Sequence, residues 1–327
     1  MTVWRWNFRC DHGVWGEIMQ ALIDVILPVF LLVAAGYAVV WRGWITDAGV
    51  EGLMKFAQSF AIPTMLFLAL ARLDLGSIFD WRLLASFYSG SVIGFLSGLL
   101  GARFLFGRDW EDAIAVGFVC LFSNSVLLGL PISERAYGTA SLSANFAIIA
   151  LHSPICYFIG IMAMEGVKAR GAGLTRTLGR VAKGLASNGL IIGIVLGATV
   201  NLSGLPLPVA VYDTAALMAR AGLPAALFGL GGVLYRYRPE GDLKLIAYAV
   251  VVSLLVHPMV TWGMGRALSV DPGPFRAAVV SASMAPGVNA YLFANMYGRA
   301  KRVAASTVLV ATLMCMLTAW GWMTALG

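Results

Sequence analysis

The chain alternates between long apolar stretches and short polar connectors. A helix needs about 20 residues to cross a ~30 Å hydrocarbon core, and ten stretches are close to that length. The connectors between them hold most of the charged residues, and the longest hydrophilic one covers 165–184. The pattern therefore predicts ten transmembrane helices, spans 1 to 10, and no separate soluble domain. The spans cover 22–41, 52–71, 83–106, 113–133, 142–164, 185–203, 209–234, 245–267, 275–297 and 303–326.

Composition supports the membrane class and argues against several functions. Of the 327 residues, 60% are hydrophobic and 12% are charged, whereas soluble domains carry about 25% charged residues. A soluble enzyme or a nucleic-acid-binding protein is therefore not expected. The four cysteines form no CxxC pair, and three lie in apolar stretches, so we expect small buried side chains, with no metal site, disulfide framework or cofactor.

The net charge of +7 is interpreted as a topology signal. With ten spans the connectors alternate between two faces, and fifteen of the 23 Lys and Arg residues fall on one of them. Since positive residues accumulate in cytoplasmic loops, we expect that face to be cytoplasmic. The prediction is a multi-pass protein of the cell (inner) membrane with both termini outside the cytoplasm.

Residues 1–18 differ from the rest of the chain, being polar and rich in Trp. They lack the apolar core of a signal peptide. Two interpretations stay open: an interfacial segment, or an over-extended reading frame whose native start is Met19.

A weak internal repeat relates the two halves of the chain. At an offset of 161, AIPTMLFLAL of span 2 matches GLPAALFGLG of span 7, and Gly36 of span 1 matches Gly197 of span 6. Because five spans is an odd number, the second half would enter the membrane from the opposite side. An inverted repeat of this kind is characteristic of secondary transporters.

Spans 4 and 9 each contain residues that disfavour a continuous helix. Span 4 holds Ser123, Asn124 and Ser125, and span 9 holds Ala285-Pro286-Gly287. Ser and Asn compete for helix hydrogen bonds, whereas Pro removes a donor. The offset of 161 places Asn124 opposite Ala285. Paired interruptions in two halves indicate a binding site, although a single Pro kink with Ser and Asn bonded to a neighbouring helix is the structural alternative.

The chain resembles the auxin efflux carrier family, which includes bacterial transporters of malonate and related organic acids and the plant auxin exporters. The resemblance covers the chain from Met19 and rests on four segments, ILPVFLLVAAGYAVVWRGWIT, SFAIPTMLFLALARLDL, SNSVLLGLPI and MAPGVNAYLFANMYG. One departure is the run Ser123-Asn124-Ser125-Val126, where family members commonly show Gly-Asn-x-Gly.

The resemblance implies an all-α membrane fold of ten helices in two inverted five-helix repeats, with broken helices 4 and 9 crossing at the substrate site. The first repeat would cover 19–164, the connector 165–184 and the second repeat 185–327. Helices 1, 2, 6 and 7 would form a scaffold and a homodimer interface. Helices 3–5 and 8–10 would form the transport domain.

Arg220 of span 7 is a charged residue within an apolar run. We expect it near the midplane, where it would pair with a substrate carboxylate. The alternative is a structural ion pair with Asp213. His152 and His257 are candidates for proton coupling, or neutral packing residues.

The predicted function is secondary transport of a small organic anion, by export or exchange, with alternating access at the crossing. A sodium-coupled symporter of the bile-acid carrier type is the first alternative, and it would need acidic ligands at the crossing. A substrate-sensing receptor is another alternative. The predicted substrate-binding residues are Ser123, Asn124, Ser125, Pro286, Gly287, Asn289, Tyr291 and Arg220. Gln58 and Ser59 are weaker candidates.

Overall fold

The computed structural model describes residues 22–72, 80–168, 189–204, 206–237 and 240–326. Within these ranges the regular structure is helical, without a β-strand. The helices are α1 (Ile23–Trp41), α2 (Asp47–Ala71), α3 (Trp81–Phe104), α4 (Trp110–Leu121), α5 (Leu130–Tyr137), α6 (Leu142–Lys168), α7 (Gly189–Ser203), α8 (Val209–Arg236), α9 (Leu243–Ala267), α10 (Pro272–Ala282), α11 (Val288–Tyr297) and α12 (Lys301–Leu326). Residues 1–18 and most of the 165–184 connector lie outside the described residues.

Seven of these helices are long and apolar enough to cross a membrane, namely α1, α2, α3, α6, α8, α9 and α12. Helix α7 is apolar but has only 15 residues. The other four, α4, α5, α10 and α11, have between 8 and 12 residues and are each too short to span alone. The multi-pass membrane class predicted from the sequence is confirmed.

Wide π-helical turns precede four prolines, Pro28, Pro63, Pro131 and Pro258. At Pro63, Pro131 and Pro258, the residue just before the proline donates its N–H to a carbonyl five residues back. A proline ring clashes with the carbonyl four residues back in a regular helix, and the wider turn relieves that clash. The turns are Leu22–Ile26, Ala57–Ala61, Ser125–Gly129 and Val252–Val256.

One carbonyl left free by such a turn is bonded from another helix. Pro258 has no N–H to donate to the Leu254 carbonyl, four residues earlier. The indole Nε1–H of Trp322, on α12, donates to that carbonyl at 3.2 Å. An unpaired carbonyl at membrane depth is expensive, so this bond ties α12 to the interrupted part of α9.

The helices pack in two groups. In the first, α1 lies on α8 and α7 lies on α2, while α2 also contacts α8. The second group consists of α3 to α6 and α9 to α12. Two glycines allow the close contacts of the first group: a methyl group at Gly36 would collide with the Phe228 carbonyl oxygen, and one at Gly197 with that of Phe67.

Aspartates begin several helices. Asp80, Asp109 and Asp242 accept hydrogen bonds from the first backbone N–H groups of α3, α4 and α9, which would otherwise be unpaired. The Leu245 N–H, helped by the Arg108 guanidinium at 2.8 Å, lowers the pKa of the Asp242 carboxyl. The three cysteines within the described residues, Cys120, Cys156 and Cys315, are free thiols, and all three are buried, as expected for cysteines in apolar stretches.

Candidate functional site

Two interrupted helix pairs meet at one point in the second group. Helix α4 ends at Leu121 and α10 ends at Ala282, and the chain continues in each case through a short non-helical segment. Ser123 and Pro286 form an isolated antiparallel bridge. The Asn124 N–H donates to the Ala285 carbonyl at 2.8 Å, and the Gly287 N–H donates to the Phe122 carbonyl at 3.1 Å.

These two bonds pair backbone groups that the breaks would otherwise leave free. In a bilayer core such groups have no water to bond, and each unpaired group costs several kcal/mol. At this crossing each segment supplies one donor and one acceptor to the other. The interruptions in spans 4 and 9 therefore support each other, an outcome that a single proline kink would not give.

The chain resumes its helical course immediately after each break. The Asn124 side-chain oxygen accepts from the Leu127 N–H at 3.2 Å and so begins the turn that leads into α5. Helix α11 begins after Gly287 with no side-chain cap. The first N–H groups of a helix have no partner within it and carry a partial positive charge, so we expect the two starts to favour a negative charge beside the crossing.

A cavity of about 250 Å³ opens beside the crossing. It lies between α2 and the start of α7 on one side, and the two breaks and α6 on the other. Its lining is a mixture of polar and apolar groups. The residues are Gln58, Ser59, Ile62, Phe122, Ser123, Asn124, Ser125, Val126, Leu127, Ile149, His152, Ser153, Gly189, Leu190, Gly287, Val288 and Asn289.

Hydrogen bonds hold the polar side chains of this cavity in place. The Ser123 and Ser125 hydroxyls lie 2.9 Å apart, and the Tyr157 hydroxyl donates to Asn289 Oδ1 at 3.4 Å. Asn124 is only 5% exposed. The lining contains no Asp or Glu among the residues that the structure describes, so the acidic ligands that a sodium site would need are not seen here.

His152 is fixed by two further contacts. Its Nε2 lies 3.1 Å from the Ser123 carbonyl oxygen, and its Nδ1 lies 3.6 Å from Cys156 Sγ. Because a carbonyl only accepts hydrogen bonds, Nε2 carries the proton and Nδ1 accepts from the thiol. The ring therefore holds the first break from the side opposite to the bridge.

His257 lies behind the cavity and is not among its lining residues. Its Nε2 lies 3.1 Å from the Ser91 hydroxyl. The Phe87 ring separates the two histidines, with its centroid 5.5 Å from each imidazole. Only His152 thus faces the space at the crossing.

Two predicted site residues lie elsewhere. Arg220 lines a separate cavity of about 860 Å³ together with Glu134 and Arg135. Within the described part of the chain it forms no ion pair with Asp213 or any other carboxylate. Tyr291 lines a third cavity, and its ring centroid is 5.0 Å from that of Tyr237.

The structure thus brings together Ser123, Asn124, Ser125, Gly287 and Asn289, with Pro286 buried in the bridge beside them. The weaker candidates Gln58 and Ser59 and the histidine His152 join them. Ser153 and Tyr157 were not predicted from the sequence. Both lie on α6 within two turns of His152, and their polar character in an apolar helix was the signal available.

Comparison with known proteins finds a matching family model and curated relatives. A family model described as "Membrane transport protein" matches residues 21–323. Among curated relatives, "Uncharacterized transporter YfdV" of Escherichia coli strain K12 is 22% identical over 308 residues, which are 93% of this chain and 98% of that protein. The "Putative malonate transporter" of Rhizobium meliloti is 23% identical over 309 residues, 93% of this chain and 95% of that one.

Proposed function

Because this chain belongs to the membrane transport protein family, we propose that it is a secondary active transporter of a small organic anion, working by export or exchange. The recognised resemblance to auxin efflux carriers and the relative named for malonate support this substrate class. The observation that carries the proposal is the pair of mutually bonded helix breaks beside a polar cavity. Binding sites of secondary transporters typically lie at discontinuous helices.

We assign ten membrane crossings. Seven are the long apolar helices, and α7 is an eighth. The pair α4 and α5 and the pair α10 and α11 each cross once, because each pair is interrupted by only a few residues. This assignment keeps the two repeats at 19–164 and 185–327.

Equivalent contacts in the two halves support the inverted repeat. The contact of Gly36 with Phe228 has a counterpart in that of Gly197 with Phe67, and both residue pairs exchange under the offset of 161. At the crossing, the two backbone bonds exchange under an offset of 163 instead. The offset changes because the second half has two more residues between Phe228 and its break than the first half has between Phe67 and its break.

We propose that the anion binds in the cavity at the crossing. The partial positive charge of the two helix starts would attract a carboxylate. The side chains of Ser123, Asn124, Ser125 and Asn289 would supply hydrogen bonds, while Pro286 and Gly287 would keep the break open. Arg220 and Tyr291 are left out of this site because they line other cavities.

Alternating access would follow from the position of the cavity between the two helix groups. One wall belongs to α2 and α7, and the other to the breaks and α6. We propose that α1, α2, α7 and α8 form the scaffold and that the remaining helices carry the anion past it. A homodimer through the scaffold helices belongs to the same proposal.

Proton coupling is assigned to His152, with His257 in a secondary position. His152 alone of the two lines the cavity, and its Nε2–H bonds the carbonyl of the first break. A second proton would have to enter at Nδ1, where it would displace the Cys156 thiol bond. His152→Gln keeps a donor for the Ser123 carbonyl and removes the titratable ring. It should abolish stimulation of flux by a pH gradient and leave anion exchange measurable, whereas stimulated flux at the wild-type level would remove His152 from the coupling.

Orientation follows the distribution of basic residues. The face that holds Arg236, Lys244 and Lys301 is proposed to be cytoplasmic, which places the C-terminus outside the cytoplasm. Reporter fusions to the C-terminus test this: activity of a cytoplasm-specific reporter would reverse the topology.

A flux assay tests the function itself. The full chain would be reconstituted in proteoliposomes and supplied with radiolabelled malonate and a panel of mono- and dicarboxylates, with and without a pH gradient and with sodium or potassium. We expect carboxylate-dependent flux that does not require sodium. Absence of flux from folded protein would contradict the proposal, and strict sodium dependence would favour the symporter alternative.

A further inference from the structure

The large cavity that holds Arg220 has a two-part lining. Its volume is about 860 Å³, and fourteen residues line it. Three of them are charged: Glu134, Arg135 and Arg220. All the others are apolar, among them Pro28, Leu31, Ala35, Leu223 and Leu227. Such a combination matches a ligand with a charged head and an apolar body.

Two of the charged residues, Arg135 and Arg220, lie beside the first two turns of α1. Arg135 donates from Nε to the carbonyl oxygens of Asp24 and Val25, at 3.1 and 3.2 Å, so it is held at the first turn of this membrane helix. Arg220 is eight residues before Phe228, or about 12 Å along a helix. Since Phe228 contacts Gly36, the same distance back along α1 reaches Pro28, another residue of the lining.

The apolar part extends from that level towards the middle of the membrane helices. Leu31 and Ala35 follow Pro28 on one face of α1, at helical spacing, and both are exposed, Leu31 by 58%. On α8 the residues Leu223 and Leu227 continue the lining one and two turns beyond Arg220. The groove therefore has its charged residues at one end, beside the first turns of α1, and apolar residues along the rest.

The charges of Arg220 and Glu134 indicate which kind of ligand fits the cavity. Arg220 is exposed to the cavity and has no described ion-pair partner, and Glu134 in the same lining also has none. A phosphodiester suits a guanidinium, and an ammonium group suits a carboxylate. In a bilayer a membrane helix is surrounded by acyl chains, which suit the leucine-rich part of the groove.

We propose that this groove binds a phosphatidylethanolamine molecule of the bilayer. Its phosphodiester pairs with Arg220, its ammonium group lies at Glu134, and one acyl chain fills the space between α1, α5 and α8. Because α5 belongs to one helix group and α1 and α8 to the other, the lipid contacts both. The proposal requires only that the chain is a membrane protein, and it does not depend on the transported substrate.

Native mass spectrometry of the full chain tests the proposal. The protein would be delipidated in a mild detergent and titrated with phosphatidylethanolamine, phosphatidylglycerol or phosphatidylcholine of identical acyl chains. We expect one tightly retained phosphatidylethanolamine per chain. Arg220→Gln should weaken its binding about fivefold, the fold-change equivalent to about 1 kcal/mol for one exposed ion pair.

Three further variants separate the parts of the site. Ala35→Trp fills the apolar groove without changing charge and should also reduce retention. Glu134→Gln should remove the preference for phosphatidylethanolamine over phosphatidylglycerol. Arg42→Gln, at the opposite end of α1, removes one positive charge outside the cavity and should bind as the wild type does.

Equal retention by the wild type, Arg220→Gln and Ala35→Trp would overturn the proposal, as would tighter binding of phosphatidylglycerol by the wild type. If Arg220→Gln does not fold, Arg220→Lys replaces it and must retain the lipid because its charge remains. Lipid retention is measured without substrate. A protein that binds the lipid but transports no carboxylate would therefore contradict the proposed function and leave the lipid site standing.

Discussion

A charge placed at Asn124 offers the sharpest test of anion binding at the crossing. The Asn124 side-chain oxygen begins the helical turn after the first break, and the rest of the side chain lines the cavity. Asn124→Asp keeps an oxygen at the capping position and replaces the amide nitrogen with a second, negatively charged oxygen. The shape of the side chain is nearly unchanged.

The magnitude follows from the size of the cavity. A sphere of 250 Å³ has a radius of about 4 Å, so a bound carboxylate would lie about that far from the new charge. At 4 Å and an effective dielectric constant of about 20, two like charges repel by about 4 kcal/mol. Since about 1.4 kcal/mol is a tenfold change in affinity, anion affinity should fall by about a thousandfold. The cap, worth about 1 kcal/mol, remains.

The assay combines concentration-dependent carboxylate flux in proteoliposomes with thermal unfolding of the same preparations. Asn124→Ser is the neutral control, because Ser also caps helices. Asn295→Asp adds the same charge at an exposed position of α11 outside the cavity and should transport as the wild type does. A folded Asn124→Asp protein whose apparent affinity stays within threefold of the wild-type value would refute the assignment of this cavity.

Three further predictions concern packing and pH. Gly197→Ala should reduce stability by about 1–3 kcal/mol, measured by thermal unfolding, since its methyl group would meet the Phe67 carbonyl. Trp322→Phe should lower the melting temperature by leaving the Leu254 carbonyl unpaired, a loss of about 1–3 kcal/mol. The pKa of the Asp242 carboxyl is lowered in the folded protein, so the charged carboxylate stabilises the fold at pH values above the ordinary carboxyl pKa. This stabilisation is lost as the pH falls through the lowered pKa, so Asp242→Asn should flatten the decline of melting temperature below about pH 4.

Matched substitutions control these experiments. Gly52→Ala, at an exposed helix position where a methyl group meets nothing within 4 Å, should be neutral or slightly stabilising. Trp81→Phe changes a 66% exposed indole and should leave the melting temperature unchanged. Equal effects of Gly197→Ala and Gly52→Ala, or of the two Trp substitutions, would contradict the contacts described. If the melting temperatures of the wild type and of Asp242→Asn fall equally as the pH is lowered, the assigned direction of the Asp242 pKa shift is contradicted.

The helix breaks of the candidate site could be predicted from the sequence because a helix break depends on the residues at the break itself. Ser and Asn compete for helix hydrogen bonds and Pro removes a donor, so the breaks at Asn124 and Pro286 could be predicted from clusters of such residues in the sequence. An equally local rule applies to Tyr291, which was predicted to join Asn289 at the crossing. Residues two apart on a helix point to different faces, and in the structure Asn289 lines the cavity at the crossing while Tyr291 packs on Tyr237.

The sequence alone determined the membrane class, the apolar spans and the positions of the breaks, because these depend on hydrophobicity and backbone preferences within short stretches. Only the tertiary structure decided which groups meet. The bond from Asn124 to Ala285 and the contact of His152 with the Ser123 carbonyl join residues that are far apart in the chain. The structure also places Arg220 in a different cavity from the one at the crossing. Such contacts depend on how whole helices pack against each other, and hydrophobic periodicity along one helix does not specify its neighbour.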